Sequence, residues 1–142
     1  MEHTKDIGNR SEAVVLAELL KHNIPVSIPF GNSEPYDLVV HTSKGFKSIQ
    51  VKHAIIKNGC VHARISKFIG YAKKQRITYQ GLADYIALWC EEQNQVYLIP
   101  LEDCGTRVDL LLRVTPPKNN SSVSTVIWAK KYLLENKISE LM

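Results

Sequence analysis

Apolar residues recur at helical spacing near the N-terminus and at strand spacing through most of the chain that follows. Between about Asn9 and His22 they fall three and four positions apart, which predicts an amphipathic helix. Asn9, followed three residues later by Glu12, matches the capping pattern that starts many helices. Later runs rich in β-branched and aromatic residues predict strands, namely "YDLVVH", "FKSIQVK", "CVHARIS", "DYIALWC", "VYLIP" and "RVDLLLRV".

The order of these elements predicts how the chain is organised. "TSKG" is a tight turn that joins the first two strands into a hairpin, and "DYIALWC" is apolar enough for a strand covered on both faces. "KFIGYAKKQRITYQG" is predicted as helix or loop, and "VSTVIWAKKYLLENK" as a C-terminal helix. The pattern therefore predicts an α/β (α+β) fold with a central mixed sheet flanked by helices. We expect residues 1–142 to form a single domain.

Charged and polar side chains stand at unusual places in this pattern. Asp37 opens the first strand of the hairpin and Lys52 closes the second, so the hairpin should bring them together. Gln50 lies two positions before Lys52 and therefore on the same face. Glu12 precedes Leu16 by one helical turn, which places it at the edge of the buried stripe of the helix.

Together these residues contain the parts of a metal-assisted hydrolytic site. Carboxylate oxygens of Glu12 and Asp37 and the amide oxygen of Gln50 suit Mg²⁺, which prefers hard oxygen ligands. The ammonium of Lys52 could orient or deprotonate water and offset charge on a phosphate. Each residue alone has an ordinary structural explanation, such as helix capping for Glu12. The combination favours phosphodiester hydrolysis.

The charge distribution points to a polyanionic partner. The net charge is +4, and the segment from Leu38 to Ala83 has no Asp or Glu but holds nine of the chain's 18 Lys and Arg residues. A solvated basic face is the ordinary alternative, but the absence of acids across several elements favours a phosphate-binding surface. The candidate DNA contacts are Lys44, Lys47, Arg64, Lys67, Lys73, Lys74, Gln75 and Arg76. Basic side chains would mostly grip phosphate, and arginine or glutamine could read base edges.

Cysteine usage and the N-terminal segment indicate a reducing compartment. Three widely spaced cysteines do not form a disulfide framework. Cys60, His62 and His53 match no zinc-binding spacing. The chain shows no hydrophobic signal region and no apolar run of transmembrane length. We therefore expect a protein that is not secreted, has no membrane partner and resides in the cytoplasm or an organellar equivalent.

The segments that carry these residues resemble a known superfamily. "GNRSEAVVLAELL", "IPFGNSEPYDLVV" and "SIQVKHA" are similar to the PD-(D/E)XK nucleases, in the version found in group I intron-encoded homing endonucleases. The resemblance runs from about Gly8 to Leu133. It implies a restriction-endonuclease-like core and a sequence-specific double-stranded DNA endonuclease that uses Mg²⁺, with Mn²⁺ as a substitute. By this resemblance Asp37 is the metal-binding aspartate, Lys52 the catalytic lysine and Glu12 the helix glutamate of the metal site.

Two positions depart from the motif of that superfamily. Tyr36 stands where the motif has proline, with Pro35 just before it, and Gln50 stands where the motif has Asp or Glu. Glutamine removes one negative charge but can still ligate through its carbonyl oxygen, and some homing members are similar in having it. The substitution leaves open weaker metal binding or a loss of activity.

The resemblance also bears on assembly and leaves alternatives open. One such site hydrolyses one strand, so cutting a duplex needs at least a homodimer, and the homing family implies a tetramer. A Holliday-junction resolvase or a restriction or repair nuclease would share the same fold. A catalytically inactive DNA-binding module is a third hypothesis, and an RNA-binding protein ranks last because no standard RNA motif is present.

Overall fold

The computed structural model describes residues 3–69, 75–116 and 126–142. Within them, α1 spans Thr4–Lys21, α2 spans Leu134–Leu141, and short 3₁₀ turns occupy Leu101–Asp103 and Ala129–Tyr132. The strands are β1 Val26–Ser27, β2 Leu38–Thr42, β3 Gly45–Lys57, β4 Cys60–Arg64, β5 Ser66–Ile69, β6 Gln75–Thr78, β7 Tyr85–Cys90, β8 Gln95–Pro100 and β9 Asp109–Arg113. No helix in these ranges has the length and apolar character that a membrane crossing requires.

The long strand β3 organises the main sheet. Among the described residues, seven strands join this sheet, with β1, β2, β3, β4 and β9 in line and the β7–β8 hairpin attached to β3. The first part of β3 pairs antiparallel with β2, and its last residues pair antiparallel with β4. The β7 strand runs parallel to β3. The predicted hairpin and the predicted mixed sheet are both confirmed.

Two apolar clusters cover the two faces of this sheet. Both helices pack on one face, where Val15 of α1 is buried with Ile49 of β3 and Ala87 of β7. Ile86 and Leu88 project to the opposite cluster, because successive side chains of a strand alternate between faces. Strand β7 is therefore buried on both sides, which explains its nearly continuous apolar sequence and confirms that prediction.

Helix α1 begins earlier than its apolar pattern predicts. It starts at Thr4, and the N-cap is His3, whose ring accepts a hydrogen bond from the Lys5 main-chain N–H at 3.4 Å. Asn9 consequently lies inside the helix, so the predicted capping pair of Asn9 and Glu12 is wrong. Glu12 thereby loses its ordinary structural explanation as a cap.

The basic connection between β4 and β7 also differs from the prediction of helix or loop. Strands β5 and β6 form a separate antiparallel pair in which Ser66 lies opposite Thr78 and Lys67 lies opposite Ile77. Isoleucine and threonine favour this pleated arrangement, and cross-strand partners satisfy the main chain. Residues 70–74 of this connection lie outside the described residues.

The predicted C-terminal helix is wrong over residues 126–133, and residues 123–125 of that prediction lie outside the described residues. The segment 126–133 approaches the sheet instead: the Arg113 N–H donates to the Ile127 carbonyl at 2.7 Å, and Leu133 forms an antiparallel bridge with Tyr97. Before that point only a short 3₁₀ turn forms at Ala129–Tyr132, and α-helical geometry begins at Leu134, after Leu133 adopts extended backbone. Pairing with residues distant in sequence therefore overrides local helical preference here.

The turn between β3 and β4 depends on an Asn-Gly pair. Asn58 and Gly59 both adopt positive φ, at 52° and 75°, as a tight two-residue hairpin requires. A Cβ at Gly59 would stand 2.3 Å from Oγ1 of Thr115 and 3.2 Å from Nη1 of Arg113. The position therefore excludes side chains for two reasons, backbone conformation and space.

We expect Gly59→Ala to lower the free energy of unfolding by about 1–3 kcal/mol, because it adds backbone strain and a close contact with Thr115. Gly8→Ala is the matched control. Gly8 lies within α1 with nothing within 4 Å of an added Cβ, so alanine should stabilise by about 1 kcal/mol. Urea unfolding measures both variants, and equal stabilities would contradict this account of the turn.

Candidate active site

The candidate site lies where β3 loses its neighbour on one side. Strand β2 pairs with β3 as far as Ile49, and β4 pairs with it only from Ile55 onward. Between these points β7 continues alongside β3 to Ala54, whereas no strand of the described residues pairs with the other edge. Residues 50–54 therefore present main-chain and side-chain groups at an open edge.

Asp37 reaches this open edge from the residue just before β2. Its own N–H donates to the Ile49 carbonyl at 2.8 Å, and its Oδ2 accepts a hydrogen bond from the Val51 N–H at 2.9 Å. The carboxylate thus takes the place that a strand would occupy at Val51. These two bonds fix the carboxylate of Asp37 against the middle of β3.

The environment of Asp37 does not fully compensate its charge. Burial raises the pKa of the Asp37 carboxyl above its usual value, while the Val51 N–H and the Lys52 ammonium act to lower it. The net direction is upward, so the ionised form is less favourable here than in water. A cation bound at this carboxylate would relieve that penalty.

Glu12 adds a second carboxylate to the same place. It is half-buried on α1, and its pKa is raised first by burial and then by the negative charge of Asp37. Both residues line a cleft of about 370 Å³, together with Tyr36 and Glu34 from the segment that leads into β2. The structure therefore brings together the helix and strand carboxylates that the sequence singled out.

Lys52 and Gln50 lie on the sheet face opposite α1, since the intervening Val51 is buried beneath that helix. The Lys52 Nζ stands 5.0 Å from the ring centroid of Tyr79, a buried residue whose aromatic face attracts the ammonium. Lys52 is also near enough to Asp37 to lower the pKa of that carboxyl. The predicted closure of Asp37 onto Lys52 by the hairpin is therefore seen in the structure.

Gln50 is oriented by a weak contact with the main chain. Its Nε2 donates to the Val51 carbonyl at 3.4 Å, and the residue is half-buried. Because the amide nitrogen is engaged, the amide oxygen is the atom suited to face a cation. Gln50 stands beside Ile86 of β7, so the neighbouring strand restricts its side chain.

The donor set fits a hard divalent cation that keeps several waters. Within the described ranges, no three His, Cys, Asp or Glu side chains are close enough together to hold a metal ion by themselves. Zinc-type ligation is therefore not built here, whereas the two carboxylates suit Mg²⁺ or Mn²⁺. Neither Gln50 nor Lys52 lines the cleft of Glu12 and Asp37, so the amide oxygen of Gln50 would join such a cation from the edge of β3. The observation that supports this fit is the cleft that Glu12 and Asp37 share, where burial disfavours the charge of both and Asp37 raises the pKa of Glu12.

A second aspartate, not singled out from the sequence, fastens β3 from its other side. Asp84 precedes β7 by one residue, and its Oδ2 accepts hydrogen bonds from the Ser48 N–H at 2.9 Å and the Ser48 hydroxyl at 3.3 Å. The Asp84 N–H in turn donates to the Ser48 carbonyl at 3.0 Å. An aspartate just before an apolar run, as in "YDLVV" and "DYIAL", was the available signal.

The predicted DNA contacts occupy three separate places. Lys44 is exposed in the β2–β3 turn and Lys47 is half-buried on β3. Arg64 is exposed on β4, where its Nε donates to Oδ1 of Asp109 at 3.2 Å, so part of its charge is already compensated. Exposed side chains of the β5–β6 pair form the third place, namely Lys67, Gln75 and Arg76. Lys73 and Lys74 lie outside the described residues.

We expect Glu12→Gln to stabilise the metal-free protein at neutral pH. A carboxyl whose pKa is raised by folding binds its proton more tightly in the folded protein than in the unfolded chain. The free energy of unfolding therefore falls as the pH rises from the unfolded-state pKa of 4.5 through the higher folded-state pKa of Glu12. The neutral amide removes this penalty and the repulsion of Asp37. The urea midpoint should therefore be higher for the variant at pH 7 and equal to wild type at pH below about 4. Glu18→Gln, which loses an ion pair with Lys21, is the control and should not stabilise.

Comparisons with known proteins agree with this architecture. A family model described as PD-(D/E)XK endonuclease matches residues 2–135. The solved structure of the bacterial homing endonuclease I-Ssp6803I is similar with a TM-score of 0.76, covering 98% of this chain and 97% of that chain at 19% sequence identity. No curated protein gives a significant match. The fold is the restriction-endonuclease-like fold that the sequence predicts, and the chain belongs to the PD-(D/E)XK endonuclease family.

Proposed function

We propose that this chain is a sequence-specific endonuclease of homing type that hydrolyses double-stranded DNA with Mg²⁺, and that Mn²⁺ can substitute. Glu12, Asp37, Gln50 and Lys52 would form its catalytic site within a single domain. Membership of the endonuclease family and likeness to a bacterial homing endonuclease support this proposal.

The observation that carries the proposal is that two partly buried carboxylates share one cleft beside a lysine that offsets only part of their charge. Glu12 does not cap α1, so the helix does not require a carboxylate at this position. Glu12 nevertheless lies close enough to Asp37 for the charge of Asp37 to raise its pKa. Placing two acids together in a partly buried cleft costs stability unless a cation joins them. Such a cost is typical of sites maintained for function rather than for folding.

In the proposed mechanism each side chain has one task. Asp37 and Glu12 would hold the metal, with the amide oxygen of Gln50 as a further ligand. A bound Mg²⁺ supplies Lewis acidity toward the phosphate and makes water more acidic. Lys52, held over the Tyr79 ring, would orient the attacking water and offset charge on the phosphate. Hydrolysis would join the water oxygen to phosphorus and break one phosphorus–oxygen bond of the strand, while the water releases one proton to solvent and the leaving oxygen takes one up.

Binding of the duplex requires surfaces beyond this cleft. The basic side chains of the β2–β3 turn and of the β5–β6 pair would contact phosphates and set the position of the duplex. We propose at least a homodimer, since one site cuts one strand and a duplex has two antiparallel strands. A tetramer would extend the recognised sequence further.

We expect Lys52→Met to slow DNA cleavage by about 10²- to 10⁴-fold while DNA binding is kept, because methionine removes the charge but retains most of the side-chain volume. The substrate is a supercoiled plasmid library with random inserts, incubated with Mg²⁺, and rates are then measured on a recovered site. Lys57→Met is the control, since Lys57 is an exposed lysine at the far end of the same strand.

Other outcomes of this assay would identify the alternatives. A wild-type protein that binds DNA but never nicks it with Mg²⁺ or Mn²⁺ would be a catalytically inactive DNA-binding module. Preferential cleavage of a four-way junction over any linear duplex would indicate a resolvase. Cleavage by Lys52→Met at the wild-type rate would remove Lys52 from the mechanism.

We expect Gln50→Glu to bind Mg²⁺ about tenfold more tightly, because it adds a charge where the family motif has Asp or Glu. The measurement is the rise in melting temperature with Mg²⁺ concentration, which reports binding to the folded state. Asp37→Asn should abolish the rise. Because both carboxyl pKa values are raised, the rise should also fade on acidification at higher pH than ordinary carboxylates would give. An unchanged Mg²⁺ dependence in Gln50→Glu would show that position 50 does not face the metal.

A further inference from the structure

The β2–β3 hairpin presents one face that the core does not use. Val40 and Ile49 project toward the helices and are buried there. The residues that alternate with them, Val39, His41 and Phe46, project to the other side, and none of them is buried. Phe46 keeps 73% of its surface exposed. We call the side of the hairpin that carries Val39, His41, Phe46 and Ser48 the open face.

The open face is ordered by its own contacts. The rings of His41 and Phe46, which are cross-strand partners, have centroids 4.6 Å apart. The His41 Nε2 is 2.7 Å from the Ser27 hydroxyl of β1. Behind the hairpin, the Ser43 hydroxyl donates to the Met142 carbonyl at 2.6 Å, so the C-terminal residue supports the turn. An exposed aromatic side chain is therefore held in place.

Charge complementarity indicates what the open face would meet. The hairpin lies in the acid-free segment of the chain, and Lys44 is exposed at its turn. Lys47 pairs with Val40 and projects with it toward the helices, so Lys44 is the lysine that borders the open face. Lys44 forms no ion pair within the described residues. The face also continues along β3 to Gln50 and Lys52 of the candidate site, so a duplex bound at that site would extend over it. These observations favour DNA over a second copy of the chain.

We propose that Phe46 is a specificity-determining residue that contacts the C5-methyl group of a thymine near the cleaved phosphate. This inference rests on the proposed function. Phe46 and Gln50 share a face four residues apart, which is about 13 Å at strand rise. At about 3.4 Å per base pair, the contacted base lies within about four base pairs of the cut.

The chemistry of the major groove makes thymine the matching base. Each base pair shows a different pattern there, and thymine alone offers an apolar methyl group for an aromatic side chain. Antiparallel strand pairs fit this groove, which is about 12 Å wide. The ring nitrogen Nδ1 of His41, beside Phe46, would face the groove as a hydrogen-bonding group. Lys44 would contact phosphate and carry no sequence information.

The test separates the methyl contact from all other effects by exchanging thymine for uracil, which lacks only that methyl group. Wild type and Phe46→Ala are each used to select bound duplexes from a randomised DNA library, with Ca²⁺ in place of Mg²⁺. Cutting of the selected sites by wild type with Mg²⁺ locates the cleaved phosphate. Each thymine of the selected site is then replaced by uracil in turn.

We expect wild type to lose about fourfold in affinity at one thymine within about four base pairs of the cut, which is the effect of one buried methyl group. Phe46→Ala should lose no affinity when that thymine is replaced by uracil. At every other substituted thymine it should lose as much affinity as wild type does. Leu111→Ala, which removes a side chain 52% exposed on β9, is the control and should keep the wild-type pattern.

Three results would overturn the inference while leaving the proposed function intact. One is a Phe46→Ala protein that keeps the uracil penalty, and another is a set of selected sites without thymine near the cut. The third is a sedimentation coefficient of DNA-free Phe46→Ala that differs from that of DNA-free wild type. This result would show that the open face is a contact between copies of the chain. Failure of wild type to bind any duplex of the library would overturn the proposed function as well.

Discussion

The rest of the site depends on one hydrogen bond, which the Val51 N–H donates to the Asp37 carboxylate at the open edge of β3. A main-chain N–H without a partner is costly in a half-buried strand. Asp37 satisfies this group and is thereby held against β3. The register of the β2–β3 hairpin sets this geometry, since a slip of one residue would exchange the faces of Gln50 and Val51.

Stability and the candidate chemistry oppose each other at this edge. The charges of Glu12 and Asp37 repel, and burial disfavours both. Lys52 offsets part of this penalty, and its ammonium is in turn held near the Tyr79 ring. Asp84 fastens β3 through Ser48 on the opposite side. The strand is therefore tied from both neighbours, which lets a partly desolvated acidic pair persist without disturbing the sheet.

The sheet also uses its two faces unequally along its length. Around β7 both faces are buried, by the helices on one side and by β4, β9 and Tyr79 on the other. Along the β2–β3 hairpin only the helical side is covered, and Phe46 is left exposed on the other side. The change occurs near Gln50 and Lys52, so the candidate site lies at the boundary between the covered and open parts of the sheet.

Local patterns in the sequence were sufficient for the hairpin, the doubly covered strand β7 and the meeting of Asp37 with Lys52. Each of these depends on side-chain alternation and one short turn, which neighbouring residues determine. For Glu12 the sequence left two explanations open, a helix cap and a partner of Asp37, and the tertiary structure decided for the second because α1 starts at Thr4 and Glu12 shares a cleft with Asp37. It also decided the β5–β6 pair and the break before α2, where Leu133 pairs with Tyr97. In these segments, hydrogen bonds to residues far along the chain outweigh local preference, and a periodic pattern contains no information about them.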